Sequence, residues 1–176
     1  MGYPFNKIEF GKDGEYVKTV IEIPKGSMMK VEWDRHEEYF KLDRVEPGIF
    51  AKPTNYGFIP QTLDEDGDEL DTLVITAEPL ATGIVVEARV IGMVDFEDDG
   101  ENDHKIIVVP TDDRHYGEIT DYQELGAQAI KQIEHHFKHY KDLKKGGTIV
   151  RGFVGAEEAW KIIRECSDRA QADKWW

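Results

Sequence analysis

Residues 64–71 of the chain read Asp-Glu-Asp-Gly-Asp-Glu-Leu-Asp, and they lead directly into the apolar run Leu70-Asp71-Thr72-Leu73-Val74-Ile75. The apolar run is typical of a buried strand. Six of the eight residues 64–71 are acidic, so their carboxylates repel one another unless positive charge lies among them. The sequence therefore leaves two structures open at the entrance to this strand: a solvated acidic turn, or a site for a hard divalent cation.

The size and composition of the chain are those of a compact protein. At 176 residues it is long enough for a sizeable core, and we predict one domain over residues 1–176. The 36 acidic side chains against 22 basic ones give a net charge of −14, which repels nucleic acid and anionic membranes and attracts cations. We therefore expect neither nucleic acid nor a membrane as a partner.

Features of the chain that relate to its location in the cell favour the cytoplasm. No apolar run approaches the roughly 18 residues of a membrane span, and the first residues lack the basic and apolar regions of a signal peptide. Cys166 is the single cysteine, so no internal disulfide can form and no cysteine-rich zinc site is possible. On a helix with an apolar face, this thiol is expected to lie in the core.

Alternating and β-branched segments predict strands in most of the chain before residue 120. The predicted strands cover residues 16–24, 28–33, 39–45, 70–75, 84–94 and 105–110, with a later one at 148–154. The segment 49–59 contains Pro53, Asn55 and Gly57 and is predicted to be a structured loop. Gly92 is expected to mark a bulge or bend in the long strand.

Helical spacing of apolar residues appears after residue 120. Ile130, Ile133, Phe137 and Tyr140 are spaced for one face of an amphipathic helix, and a last helix carries Ala156, Trp160, Ile163 and Ala170 on one side. Strands followed by helices predict an α+β fold, a small, mostly antiparallel, OB-like β-barrel with helices packed on it.

A second acidic loop, residues 95–103, also precedes a predicted strand. Neither acidic loop is an EF-hand: counted from Asp64 the sixth position is Glu69 where glycine is needed, and counted from Asp95 the twelfth is Ile106 where glutamate is needed. Aspartates from the two loops together predict a composite site for two or more Mg²⁺ ions, with Ca²⁺ as an alternative. The candidate ligands are Asp66, Asp68, Asp71, Asp98 and Asp103.

Four basic residues complement the acidic loops. Lys30, Arg44, Lys105 and Lys141 each lie at or near the end of a predicted element. Taken singly, each is better explained as an ordinary surface residue. Together they are typical of a site that binds phosphate and neutralises a phosphoryl leaving group.

Six short motifs occur in a fixed order between about residues 20 and 145. The acidic one, Asp66-Gly67-Asp68-Glu69-Leu70-Asp71, follows a D-x-D-[P or E]-apolar-D pattern. The others are Val20-Ile21-Glu22-Ile23-Pro24 with Lys30-Val31-Glu32, Leu42-Asp43-Arg44, Asn55-Tyr56-Gly57-Phe58-Ile59, Asp103-His104-Lys105 and His139-Tyr140-Lys141-Asp142-Leu143. With these motifs the chain resembles the soluble inorganic pyrophosphatases of the single-domain, magnesium-dependent family (family I), in its prokaryotic form.

The resemblance implies an activity and a cofactor. The activity is the hydrolysis of pyrophosphate to two orthophosphates by direct attack of a metal-activated water. The cofactor is Mg²⁺, with several ions per subunit and with Mn²⁺ or Zn²⁺ as possible substitutes. The resemblance also implies a homohexamer.

The resemblance further implies a role for each of the site residues. Asp66, Asp71 and Asp103 would hold the two activating metals, with Asp71 bridging them. Asp98 and Glu32 would hold the metals that arrive with the substrate, and Glu22 would support the site through water. Asp68 would be the general base. The phosphoryl groups would bind to Lys30, Arg44, Tyr56, Lys105, Tyr140 and Lys141. The remaining acids of the first loop, Asp64, Glu65 and Glu69, are expected to stay in solvent.

Two features lie outside this pattern. Lys52 stands where the family usually has a tyrosine, and its charge would either tighten phosphate binding or only occupy surface space. His135 and His139 have a spacing that can chelate Zn²⁺, although no third ligand lies nearby in sequence. In the resembling bacterial family this helix lies at a subunit contact, so His135, His136 and His139 are candidate contact residues whose protonation would loosen the assembly.

Two rival functions stay open at this point. A small barrel can also act as a non-catalytic module that binds cations or oligonucleotides, and the residues also fit a metal-dependent hydrolase of nucleotides or polyphosphate. The net charge and the lack of an aromatic and basic strand face argue against nucleic acid. The chain has no glycine-rich phosphate loop, which argues against the nucleotide hydrolase.

Overall fold

The structure, a computed structural model, describes residues 5–173. Within this range the chain forms ten strands and two α-helices. The strands are β1 (Gly11–Lys12), β2 (Tyr16–Ile23), β3 (Met29–Asp34), β4 (Tyr39–Val45), β5 (Asn55–Phe58), β6 (Asp71–Val74), β7 (Val85–Asp98), β8 (Glu101–Asn102), β9 (Lys105–Pro110) and β10 (Thr148–Gly155). The helices are α1 (Ala127–His139) and α2 (Ala156–Ala172).

Five of the strands close into a barrel. They neighbour one another in the order β2, β5, β6, β9 and β7, and β2 also pairs with β7, which completes the ring. The pairing of β6 with β9 is parallel, and the other pairings of the described strands are antiparallel. Strands β3 and β4 form a separate two-stranded sheet. The predicted fold class, a mostly antiparallel OB-like barrel with helices, is confirmed.

The two helices bury their apolar faces in different clusters of the core. Trp160, Ile163 and Cys166 of α2 pack with barrel residues such as Leu70. Ile133 and Phe137 of α1 pack in a second cluster with residues of β7 and β9. The predicted amphipathic helices are confirmed, and Cys166 is buried as expected.

The prediction of a loop over residues 49–59 was wrong, because β5 lies within it. Asn55 and Gly57, taken as signs of a turn, have other uses in the barrel. The Asn55 side-chain amide donates to Thr76 Oγ1 at 2.7 Å and its oxygen accepts from Leu80 N at 2.7 Å. At Gly57 an added Cβ would lie 2.0 Å from Val20 O, so only glycine allows β5 to approach β2 this closely.

Gly92 marks an irregularity, as the sequence indicated. The register of β7 against β9 shifts between Val90 and Gly92. Strand β7 nevertheless continues to Asp98, four residues beyond the predicted end. This extension carries one acidic loop to the end of the barrel where the other also lies.

Candidate active site

All of the predicted site residues line one cavity of about 520 Å³. Its walls include every predicted metal ligand, namely Glu22, Glu32, Asp66, Asp71, Asp98 and Asp103, together with the predicted catalytic and substrate-binding residues Lys30, Arg44, Tyr56, Asp68, Lys105, Tyr140 and Lys141. Three further charged side chains of the wall, Glu46, Glu69 and Lys144, were not predicted for the site, and Lys52 also lines it.

The acidic loop enters the cavity through a tight turn. Gly67 has a φ of +91°, a conformation that favours glycine. The turn is held by Asp64 N, which donates to Asp68 O at 2.8 Å, and by Asp68 N, which donates to Asp66 Oδ1 at 3.1 Å. Asp66 and Asp68 therefore lie at the open side of the cavity, where the Asp68 side chain is 77% exposed.

The centre of the site is set by the parallel pairing of β6 with β9. This pairing puts Asp71 opposite Lys105. Lys105 Nζ lies 2.5 Å from Asp71 Oδ2 and also contacts Asp103 Oδ1, and the Tyr56 hydroxyl donates to the same oxygen of Asp71. Burial opposes the charge of Lys105, which is only 3% exposed, but Asp103 and Asp71 beside it raise its pKa overall.

A second carboxylate cluster lies where β7 ends. Asp98 accepts hydrogen bonds from the Tyr140 hydroxyl and from Lys141 Nζ, and Lys141 Nζ also lies 2.7 Å from Asp99 Oδ2. Tyr140 and Lys141 come directly after α1. The end of this helix therefore brings two predicted phosphate ligands to the acidic end of β7.

Strands β3 and β4 form the basic wall. Their register places Lys30 opposite Arg44. Lys30 forms ion pairs with Glu32 and, at 3.7 Å, with Asp43, and Arg44 Nε lies 2.5 Å from Glu46 Oε1.

Glu46 also accepts from Lys144, 98 residues further along the chain. Only weak signals in the sequence pointed to these two residues: Glu46 is two residues after Arg44, and Lys144 directly follows the last motif. Their pairing depends on the tertiary structure, so local patterns do not reveal it.

Glu22 is buried at the back of the cavity. Its Oε1 accepts a hydrogen bond from Trp33 N at 2.7 Å. Burial, and the negative charge of Asp71 next, raise the pKa of Glu22 well above its ordinary value. Glu22 is thus held by the backbone of β3 and faces a surplus of negative charge.

The donor set fits hard divalent cations. The cavity wall carries nine carboxylates against six lysines and arginines, and these oxygen donors are the ligands that Mg²⁺ and Ca²⁺ prefer. Burial, with the charge of Asp103 next, raises the pKa of Asp66 to about 7 although this carboxylate opens to the cavity. Burial likewise raises the pKa of Asp103 despite the ammonium of Lys105. Added positive charge would stabilise the ionised forms of both.

Three predicted ligands each keep one oxygen free of hydrogen bonds within residues 5–173: Asp66 Oδ2, Asp71 Oδ1 and Asp103 Oδ2. In this same range no three carboxylate, histidine or thiol groups converge closely enough to enclose one ion. The reason is that Lys105 lies between Asp71 and Asp103 and holds one oxygen of each. Asp66, Asp71 and Asp103 therefore fit Mg²⁺ in donor type, since they are carboxylates, and each has an oxygen left to bind it.

The expectation that Asp64 and Glu69 stay in solvent was wrong. Asp64 is only 4% exposed; its carboxylate accepts from Glu65 N at 2.8 Å and from His104 N at 3.2 Å. Glu69 lies 3.0 Å from Arg35 Nη1. Glu65 is exposed, as predicted.

Asp64 connects the two acidic loops, because its partner His104 lies between the predicted ligand Asp103 and Lys105. We expect Asp64→Ala to lower the free energy of unfolding by about 2 kcal/mol, since the buried His104 N and the partly buried Glu65 N lose their acceptor. Urea denaturation would measure this, with the exposed Asp112→Ala as the matched control. Equal stability of the two variants would show that Asp64 contributes no more than a surface acid.

The three histidines of α1 do not share one environment. The rings of His135 and His139 are exposed and 4.5 Å apart, whereas His136 is buried and stacks on Tyr140. Burial, with the charge of Lys52 next, lowers the pKa of His136 to about 3. His136 therefore stays neutral at pH 5, and the prediction that acid protonates all three was wrong for this residue.

Comparison with known proteins gives a consistent result over nearly the whole chain. The family model described as "Inorganic pyrophosphatase" matches residues 19–171. An inorganic pyrophosphatase of Neisseria meningitidis serogroup B is 60% identical over 159 residues, which are 89% of this chain and 90% of the relative. One of Geobacillus stearothermophilus is 41% identical over 162 residues, 92% of this chain and 98% of the relative.

Solved structures agree with the sequence matches. The crystal structure of an inorganic pyrophosphatase from Neisseria gonorrhoeae has a TM-score of 0.92 and 58% identity, covering 95% of this chain and 99% of that one. The one from Thermus thermophilus has a TM-score of 0.90 and 38% identity, covering 96% and 99%.

Proposed function

This chain belongs to the inorganic pyrophosphatase family and hydrolyses pyrophosphate to phosphate, and we propose that it does so with Mg²⁺ in the cavity described above. The observation that carries this proposal is the surplus of carboxylates: nine face the cavity with six cationic side chains. A polyanionic substrate such as pyrophosphate is repelled by a negative cavity unless added cations reverse the charge of the cavity.

Three of the carboxylates are suited to the activating ions. Asp66, Asp71 and Asp103 would hold these ions, and Asp98 and Glu32 would hold those that arrive with the substrate. Bound Mg²⁺ lowers the pKa of water and shields the charge of the phosphoryl groups. Glu22, fixed by Trp33 N, supports the cluster from behind.

Asp68 is the general base in this proposal. Its side chain is 77% exposed and makes a loose contact of 3.6 Å with Arg35. An ionised carboxylate at this position can accept a proton from the attacking water and direct its lone pair. Asp71, in contrast, is held by Tyr56 and Lys105, which suits a ligand more than a base.

The cationic and phenolic groups bind the phosphoryl oxygens. Lys30, Arg44 and Lys141 are held in place by carboxylate partners, so little ordering is needed when the substrate binds. Burial, and the neighbouring Asp71, raise the pKa of Tyr56; burial and Asp98 do the same for Tyr140. Both hydroxyls therefore keep their protons and can donate hydrogen bonds to the substrate or to the leaving phosphate.

A phosphate-release assay tests the function. The wild-type protein is given pyrophosphate, ATP or a polyphosphate, with and without Mg²⁺. We expect rapid release of phosphate only from pyrophosphate and only when Mg²⁺ is present. Faster release from ATP or polyphosphate would favour a broader anhydride hydrolase, and release from none of the three would favour a non-catalytic cation-binding module.

We further propose a homohexamer that acts in the cytoplasm. This proposal is supported by the family resemblance, which implies a subunit contact at α1, and by the exposed rings of His135 and His139 on this helix. The single cysteine is compatible with a reducing compartment. No helix of residues 5–173 is long and apolar enough to cross a membrane.

Light scattering tests the assembly. We expect a hexamer mass for the wild type. The double variant His135→Glu/His139→Glu places two like charges on the exposed face of α1 and should give smaller species, whereas His115→Glu, elsewhere on the surface, should assemble as the wild type does. A hexamer mass for the double variant would contradict a subunit contact at these two histidines.

A further inference from the structure

Lys52 differs from every other cationic side chain of the cavity wall. The others each form an ion pair with at least one carboxylate; they are Lys30, Arg44, Lys105, Lys141 and Lys144. No carboxylate of residues 5–173 lies within ion-pair distance of Lys52 Nζ. Its ammonium therefore carries a charge that no described side chain neutralises.

The position of this ammonium is nevertheless well defined. Lys52 Nζ lies 4.3 Å from the centroid of the Tyr56 ring and 5.9 Å from that of Tyr140, distances at which the ring faces attract a cation. The backbone of Lys52 is fixed to the segment before β3: Lys52 N donates to Ser27 O at 3.1 Å and Gly26 N donates to Lys52 O at 2.9 Å. The side chain is thus held at the wall and directed into the cavity.

Its surroundings favour an anion as the missing partner. Burial, and next the charge of Lys105, lower the pKa of Lys52 to about 8, with Lys30 acting in the same direction and Asp71 and Asp103 opposing it. On the same wall, His136 Nε2 is buried and has no hydrogen-bond partner within the described range. The charged form of a lysine is destabilised near two other lysines when no carboxylate lies within ion-pair distance. A phosphoryl group bound among the three lysines would remove that cost.

We propose that Lys52 is a further substrate-binding residue, whose ammonium holds a phosphoryl oxygen of pyrophosphate beside the two tyrosines. This inference rests on the proposed function of the cavity. Because the charge on the substrate exists before the reaction begins, Lys52 binds the ground state and the transition state alike. Its loss should therefore raise KM and weaken phosphate binding more than it slows turnover.

The experiment compares Lys52→Met, Lys52→Arg and a matched surface control, Lys131→Met, with the wild type. We expect Lys52→Met to raise KM for pyrophosphate about tenfold, the typical loss for a charge-assisted hydrogen bond, while kcat changes by less than about threefold. Lys52→Arg and Lys131→Met should keep a KM close to the wild-type value. A KM for Lys52→Met within about twofold of wild type would overturn the inference.

A pH series separates a charge effect from a change in packing. Lysine binds an anion only when protonated, so the wild-type affinity should be complete below pH 8 and weaken as the pH rises through that value. Lys52→Arg stays charged in this range, so the ratio of its KM to that of the wild type should fall above pH 8. Every other titrating group facing Lys52, including Tyr56, Tyr140 and His136, is common to both proteins. A ratio that does not change with pH would contradict an electrostatic role.

Calorimetric titration with inorganic phosphate keeps this inference separate from the proposed function. If the wild type failed to hydrolyse pyrophosphate, the proposed function would be wrong, and the phosphate affinities of wild type and Lys52→Met would still decide whether Lys52 binds the anion. Equal phosphate affinities of the wild type and Lys52→Met would refute the role of Lys52 in binding the anion. Thermal melts of the variants confirm that each is folded before its affinity is compared.

Discussion

Asp68→Asn is expected to lower kcat for pyrophosphate by about 10²–10³-fold, the usual effect of removing a general base. The amide has the size of the carboxylate but cannot accept the proton of the attacking water. The fold should not change, because the Asp68 side chain is 77% exposed and its nearest cation, Arg35, lies 3.6 Å away and keeps its contact with Glu69. Steady-state kinetics at saturating Mg²⁺ would measure the loss.

Metal binding distinguishes a base from a ligand at this position. Calorimetric titration of Asp68→Asn with Mg²⁺ should give affinities within about threefold of wild type, since Asp66, Asp71 and Asp103 remain. Glu65→Gln, which removes the charge of an exposed side chain in the same loop, should leave both kcat and Mg²⁺ affinity unchanged. Near-normal turnover of Asp68→Asn would remove Asp68 from the mechanism.

Asp71→Ala should lose both turnover and metal affinity. Asp71 is the carboxylate proposed to bridge two ions, so its removal should weaken Mg²⁺ binding at least about 100-fold. Loss of even an outer-shell partner typically lowers metal affinity 10–100-fold. The substitution also takes the acceptor from the Tyr56 hydroxyl and one of two carboxylates from the buried Lys105. Calorimetric titration with Mg²⁺ would measure the loss of metal affinity. Phosphate release at several Mg²⁺ concentrations would measure the loss of turnover.

A second variant covers the case in which Asp71→Ala folds poorly. Asp71→Asn keeps an oxygen for Tyr56 and Lys105 but lacks the negative charge that binds two ions. It should fold normally and still show weak Mg²⁺ binding, while Glu65→Gln again serves as the control. If Asp71→Asn bound Mg²⁺ as tightly as the wild type, Asp71 could not be a shared ligand.

The sequence predicted the contents of the site better than its arrangement. The six motifs contain twelve of the thirteen predicted site residues, and the thirteenth, Asp98, belongs to the second acidic loop. All thirteen line one cavity, because each segment carries its residue types locally. The parallel pairing that sets Asp71 beside Lys105 has no local signal, since it joins strands separated by some thirty residues. The ion pair between Glu46 and Lys144 is long-range in the same way.

Burial of polar residues was the other source of error. Asp64 belongs to a run of acids and looked solvated, but the fold places His104 N against its carboxylate. Asn55 and Gly57 looked like turn residues, yet the close contact of β5 with β2 requires the glycine, and the asparagine amide donates to Thr76 Oγ1 beyond β6. Composition identifies residues that tolerate turns; it does not reveal when tertiary contacts use them in a strand.

The central claim is that two acidic loops share the cations that make pyrophosphate hydrolysis possible. Crystals grown with Mn²⁺, with diffraction measured at the manganese absorption edge, test it most directly. We expect anomalous peaks within coordination distance, about 2.2 Å, of Asp66, Asp71 and Asp103, with Asp71 bound to two of them. Peaks confined to surface acids or to His135 and His139, with Lys105 still between Asp71 and Asp103, would contradict the claim.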